Sequence, residues 1–183
     1  NGRMPSDITR ENSSRFWLQK ELERYAASIP AGSMVLDAGS GGGLYSKIFS
    51  HCNYENADFM QVSKEYASQT YVCDLSAIPT EDGRFDFIIF TQVMEHLPKP
   101  EAVLTELNRV LKPGGKLFFS APLYYEEHEK PYDFYRYTQF GVREQFTRAG
   151  FNTPEVRWLE GYLGTAAYQL SNLSRKLPLR SSA

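Results

Sequence analysis

Excess charge, cysteine, histidine and long apolar runs are all scarce in this sequence, and each scarcity closes a class of function. The 20 Lys and Arg against 22 Asp and Glu, net −2, leave no basic surplus to neutralise a phosphate backbone, so nucleic acid is not an expected partner. No uninterrupted apolar run reaches the roughly 18 to 20 residues that cross a bilayer, and the polar start has no signal-peptide layout. Stable membrane insertion is therefore not expected, and the chain reads as cytoplasmic. Only Cys52 and Cys73 carry thiols. They lack metal-ligand spacing, so they are expected buried and reduced, and no metal site is expected from them. What is abundant is aromatic: 14% of residues, with nine rings between Phe118 and Phe140.

The stretch 1–9 is polar and begins without Met, which fits an artificial remnant plus a flexible arm. Residues 10–183 are then expected to form a single domain, as a monomer or a homodimer. Asn12 is a plausible N-cap for a helix carrying Leu18, Leu22, Tyr25 and Ile29 at helical spacing, closed by Pro30 and Gly32. Met34-Val35-Leu36 enters a run of glycines, and Leu44, Tyr45, Ile48 and Phe49 follow with helical spacing. A strand over 54–58, a short helix over 62–67, a strand over 70–74 and the apolar run Phe85 to Phe90 continue the alternation. Apolar strands of that kind belong to parallel sheets covered on both faces. Pro98 and Pro100 open a helix with Val103, Leu104, Leu107, Val110 and Leu111 on one face, and Pro113-Gly114-Gly115 closes it. A strand over 116–121, a helix capped by Thr138 and stopped by Gly150, a strand over 156–159 and a helix carrying Leu163, Ala166, Ala167, Leu170, Leu173 and Leu177 complete the chain. That last helix, with Arg175, Lys176 and Arg180 at its end, is expected to cover the sheet. The pattern predicts an α/β fold: a doubly wound, Rossmann-like, mainly parallel sheet with helices on both faces.

The glycine loop reads Val35-Leu36-Asp37-Ala38-Gly39-Ser40-Gly41-Gly42-Gly43. Glycines at the end of a first strand let backbone approach a ligand, and a following helix would offer free N–H groups. Leu44 stands where a dinucleotide site wants its third glycine, and no Gly-Lys-Ser/Thr follows. An acid at Asp37 repels a pyrophosphate and suits an ammonium group. Asp58, 21 residues later, stands where a carboxylate accepts ribose hydroxyls, and Asp74 ends a third strand where it can accept from an adenine amino group. Each acid by itself also fits a solvated strand end; their joint spacing favours one crevice.

Together with Phe85-Asp86-Phe87-Ile88-Ile89-Phe90-Thr91-Gln92-Val93-Met94-Glu95-His96-Leu97 and Leu107-Asn108-Arg109-Val110-Leu111-Lys112-Pro113-Gly114-Gly115, these motifs resemble the class I S-adenosylmethionine-dependent methyltransferases of type 11, over roughly residues 34 to 151. The resemblance implies S-adenosyl-L-methionine as cofactor and S-adenosyl-L-homocysteine as product. It puts Ala38, Gly39, Ser40 and Gly41 near the methionyl moiety, Asp37 on that loop or on the ammonium, Asp58 with Phe59 at the ribose, Asp74 with Cys73 and Leu75 at the adenine, and Thr91 and Gln92 beneath the sulfonium. The family sheet has seven strands. After Leu159 none is visible for the last, so either the chain is truncated or this edge departs from the pattern.

Methyl transfer from a sulfonium is an in-line displacement whose donor already carries the activation, so the protein aligns the partners and excludes water. An O–H or protonated N acceptor also needs a base. His51 sits in a polar surface context. His96 is either a base at the site mouth or a loop-ordering hydrogen-bond partner. The segment 122–138 is too long for a simple connection, usually about 2 to 6 residues, and is similar to the His-Glu-x-Pro-Tyr-Asp-x-Tyr-Arg-Tyr-Thr stretch of some bacterial type 11 members. Tyr124, Tyr125, Tyr132, Tyr135 and Tyr137 would wall a pocket for a small-molecule acceptor such as a sugar or ring, His128 with Glu129 would supply a base and its orienter, and Arg136 would hold an acceptor carboxylate or phosphate. The competing reading is an aromatic mini-core that pins the loop, with Arg136 paired to Asp133 or Glu129. Two other functions stay open: a non-catalytic binding module on the same fold, and a nicotinamide-dependent reductase, which Asp37 and Leu44 disfavour. The Asn/Asp-Pro-Pro-Tyr/Phe signature of base amino methylation is absent after Phe90.

Overall fold

A computed structural model describes residues 13–176. The arm 1–9, the Asn12 cap, Leu177 and Arg180 lie outside them, as do the side chains of Arg175 and Lys176. Backbone proximity groups Leu22–Val156 as one compact unit; of the other described residues, 13–21 and 157–176 fall in a second.

The larger unit is built on five parallel strands: β1 (Met34–Ala38), β2 (Asn53–Asp58), β3 (Tyr71–Val72), β4 (Phe85–Thr91) and β5 (Leu111–Ser120), ordered β3-β2-β1-β4-β5. Side-chain alternation explains why both faces need cover. Ile88 and Phe90 of β4 pack with Val103, Leu104, Leu107 and Val110 of helix α2 (Pro100–Val110) and with Val142 and Phe146 of α3 (Gln139–Arg148). Phe87, one residue out of phase, faces the other way, its ring centroid 6.1 Å from that of Tyr25 on α1 (Ser13–Ala27). Tyr25 also meets Phe118 of β5 and donates its hydroxyl to the Lys116 carbonyl. Leu22 and Ala26 are buried on the same helix. The expected fold class is thus present, and the reversal of strand order between β1 and β4 creates a crevice at the carboxyl ends of the strands.

Thr138 caps α3 as expected, its Oγ accepting from the Gly141 N–H. Five expected elements differ. Helix α2 ends at Val110, so Leu111 and Pro113-Gly114-Gly115 belong to β5 rather than to the helix and its stop. After the glycines the chain makes turns and a single 3-10 turn, Ser46–Phe49, in place of a longer helix; only Phe49 is buried there, and Leu44 is 65% exposed. Successive left-handed residues at Gly39, Gly41 and Gly43 keep the backbone turning, so the spaced apolar residues never become one face. The stretch 62–67 forms no helix, because Tyr66 folds its hydroxyl back onto the Val62 N–H and carbonyl and closes a loop instead. The stretch 156–159 is not a strand, and the described residues hold five strands in all. Helix α4 (Gly161–Lys176) exists, yet Leu163, Leu170 and Leu173, expected to be covered, are exposed. Both cysteines are free and half-buried rather than fully buried.

Candidate active site

The β1 end shapes the site first. Gly39 takes φ +80° and donates its N–H to the Ala57 carbonyl at 2.8 Å. A Cβ there would collide with a methyl of Val93, so only glycine lets the β1 and β4 loops meet this closely. Gly41 donates its N–H to Asp58 Oδ2 at 2.9 Å, and Asp58 Oδ1 accepts from the Met60 N–H at 2.7 Å. Asp58 therefore braces the glycine loop and the left-handed Met60 together, and each oxygen keeps a second lone pair for a hydroxyl ligand. Asp74 accepts the Ser76 N–H and hydroxyl on Oδ1, which frees Oδ2 for a ligand. Gln92, at φ +55°, ties the end of β4 to β5 by bonding Ser120 through its backbone N–H and its side-chain amide.

These strand ends open on a cleft of about 240 Å³. Of the residues expected at the cofactor, Gly39, Asp58, Phe59, Asp74, Leu75 and Gln92 line it; of those expected at the acceptor, His96, Glu129 and Tyr132 do. Val62, Lys64 and Tyr66 from the β2–β3 loop, Pro98 and Lys99 just before α2 and Ala102 in its first turn also line it, none of them foreseen. Lys64 Nζ reaches Glu129 Oε1 at 2.8 Å and so joins the β2–β3 loop to the 122–138 loop. Glu129 is consequently an ion-pair partner of Lys64, not the orienter of His128.

The remaining expected residues do not line the cleft, for identifiable reasons. Asp37 is 3% exposed inside the sheet, where the Tyr54 hydroxyl donates to its Oδ2 at 2.5 Å. Burial pushes the Asp37 carboxyl up to about 6 against the opposing pull of that hydrogen bond, with Asp58 adding a smaller upward push. Asp37 Oδ2 is thus held by a tyrosine within the sheet. Ala38 is fully buried in β1. Ser40 turns inward to Gln69 and Asn56, and Gly41 spends its N–H on Asp58. Cys73 packs against the core, and Thr91 is buried at the β4–β5 register beside Ser120.

In the 122–138 segment the mini-core reading prevails for most members. Arg136 grips Asp133 with both terminal nitrogens, at 2.6 and 2.8 Å, and donates further to the Tyr125, Glu126 and Tyr135 carbonyls. The guanidinium holds the Asp133 carboxyl well below the usual carboxylate range. It is spent within the loop and does not line the cleft. Tyr135 donates to the Pro98 carbonyl, Tyr137 to the Met94 carbonyl, and the Phe134 and Tyr135 N–H groups both reach the Glu95 carbonyl. The loop is thereby sewn to the 3-10 turn Met94–His96. Tyr125 stacks edge-on against His128, whose backbone N–H and ring both approach Asp133. His51 only reaches the Ile29 carbonyl.

One buried group escaped the sequence reading. Glu95 is 0% exposed, and neither of its carboxylate oxygens has a hydrogen-bond partner. Burial raises its carboxyl to about 8. Its position just past β4 gives no sign of this; the 134–137 segment closes over the turn that carries it.

Comparison with known proteins agrees with this architecture. The family model described as "Methyltransferase domain" matches residues 10–155. A ubiquinone biosynthesis O-methyltransferase of Coxiella burnetii is 36% identical over 101 residues, covering 49% of this chain and 43% of that enzyme. The tRNA (carboxymethyluridine(34)-5-O)-methyltransferase ALKBH8 of Macaca fascicularis is 29% identical over 126 residues, covering 65% of this chain and 19% of that protein. The chain thus spans less than half the length of these curated relatives. Among solved structures, phosphoethanolamine N-methyltransferase 2 of Haemonchus contortus, in complex with S-adenosyl-L-methionine, superposes with a TM-score of 0.62 at 18% identity, over 86% of this chain and 41% of that one.

Proposed function

Because the chain belongs to the methyltransferase domain family, we propose that it transfers a methyl group from S-adenosyl-L-methionine to a small-molecule acceptor by in-line displacement. The observation that carries the reading is the single cleft into which Gly39, Asp58, Asp74 and Gln92 converge from the ends of four parallel strands. In this reading the second lone pairs of Asp58 accept the ribose hydroxyls, Asp74 Oδ2 accepts the adenine amino group, and Phe59 and Leu75 supply apolar walls. Gly39 and Gln92 border the methionyl end. The acceptor lies toward His96, Glu129 and Tyr132, the three residues of the expected acceptor set that line the cleft.

In the displacement the acceptor lone pair attacks the methyl carbon, the carbon–sulfur bond breaks towards sulfur, and a neutral thioether leaves. With an O–H acceptor, the oxonium formed by the transfer then passes its proton to solvent water. The protein contributes alignment and exclusion of water rather than bond-making groups of its own. A small acceptor is favoured over a tRNA such as the ALKBH8 relative modifies, because the sequence has no cationic surplus for a phosphate backbone.

Calorimetric titration tests the cofactor. S-adenosyl-L-homocysteine is expected to bind one-to-one at micromolar concentration and NADH not at all; the reverse preference refutes the proposal.

A further inference from the structure

We propose that Glu95, His96 and His128 form a binding site for one divalent first-row transition-metal ion beside the cleft. One carboxylate oxygen of Glu95 and one ring nitrogen from each histidine lie within 4.8 Å of one another. The two imidazoles meet edge to face with centroids 4.6 Å apart, and His96 Nε2 stands 3.9 Å from Glu95 Oε1.

Two independent observations point to a ligand. The first is Glu95 itself: a fully buried carboxyl with both oxygens unpartnered is costly, and native structures rarely leave one so. The second is the way both rings are held. His96 Nδ1 faces the Tyr132 carbonyl at 2.5 Å and His128 Nδ1 faces the Glu126 carbonyl at 3.2 Å. A carbonyl only accepts, so each Nδ1 carries the proton and each Nε2 carries the lone pair. A backbone carbonyl on the far nitrogen is the support that metal-bound histidines characteristically have. Glu95 and His96 come from the turn after β4, which the loop sews in place, and His128 is fixed by Asp133 and Tyr125. Two imidazoles and one carboxylate suit zinc, iron or cobalt better than magnesium, which prefers all-oxygen shells. Ligand distances near 2.0 to 2.2 Å require the three atoms to draw together from their present spread. Three protein ligands leave coordination positions open, and His96 also lines the cleft. The histidines then act as ligands and not as a base. None of the three was joined by sequence spacing, since His128 lies 32 residues past His96.

The test is metal binding by the full chain, with no cofactor present, so its failure is separate from failure of the cofactor reading. Titration with Co²⁺ followed by visible absorption, and with Zn²⁺ by calorimetry, is expected to show one ion per chain. His128→Ala and Glu95→Gln are each expected to weaken binding about 100-fold and to abolish the visible bands, while both thiols remain. His128 is partly exposed on its loop, so His128→Ala decides the matter even where Glu95→Gln does not fold. Absence of bound Co²⁺ and Zn²⁺ at millimolar concentration overturns the site, and so does binding that His128→Ala leaves unchanged.

Discussion

Tyr54 donates a hydroxyl hydrogen bond to Asp37 from the neighbouring strand, at 2.5 Å. Asp37 is in register with Asn56, and Tyr54, two residues earlier, shares the face of Asn56, so the bond runs diagonally across β1 and β2. Burial pushes the folded carboxyl up to about 6, from an ordinary value of 3.8. The folded chain therefore holds more protons than the unfolded one between about pH 4 and pH 6. The contribution of Asp37 to stability is fully present below that window and is lost as pH rises through it, by about 3 kcal/mol. Removing the hydroxyl in Tyr54→Phe raises the carboxyl further. The variant is expected to lose about 1 to 3 kcal/mol at pH 8 and much less at pH 4, read by urea unfolding at both. Equal losses at the two pH values contradict the assignment.

The Asp58 carboxylate that braces Gly41 and Met60 is also the proposed ribose acceptor. Asp58→Ala is expected to weaken S-adenosyl-L-homocysteine binding about 10- to 100-fold, the scale of hydrogen bonds to a charged group. Calorimetry reads it, and an unchanged dissociation constant removes Asp58 from the ribose site.

Arg136 is expected to matter for folding of its loop and little for cofactor affinity. Its loss in Arg136→Ala strands Asp133, whose side chain is only 3% exposed, at a cost of about 3 kcal/mol or more. The measurement is a thermal melt, with limited proteolysis locating the opened segment within 122–138. A stable variant with a raised Michaelis constant for the acceptor restores the direct substrate role.

The Lys64–Glu129 pair spans two loops but is 39% and 33% exposed. Such a pair contributes about 0 to 1 kcal/mol and weakens with salt. Lys64→Ala is expected to leave the melting temperature within a degree or two and to speed cofactor release a few-fold at low salt, with the difference from wild type vanishing in roughly 1 M NaCl. Stopped-flow displacement measures this, and a salt-independent change argues against an ionic latch.

The sheet was legible because its signals are local: Phe85 to Phe90 is apolar enough to be buried on both faces, and the caps at Pro100, Thr138 and Gly150 bound their helices where expected. That Asp58 and Asp74 meet at one cleft was legible from their positions at strand ends. What stayed hidden depends on partners distant in sequence. Asp37 needed the register of β2 to reveal Tyr54, Glu95 needed the returning 134–137 segment that closes over its turn, and Arg136 needed the fold of its own loop to show that Asp133 had claimed it. Leu44 misled because its spacing fits a helix that left-handed glycines do not let begin.

The brace that Asp58 makes with Gly41 and Met60 has a consequence for turnover. With both loops already fixed by hydrogen bonds of the protein itself, the cost of ordering them falls on folding and not on ligand capture. A cleft shaped in advance offers nearly the same adenosine surface to the spent thioether as to the charged donor. Discrimination between them rests on one methyl group and its positive charge, so product accumulation, more than donor supply, is expected to govern how fast such a site keeps working.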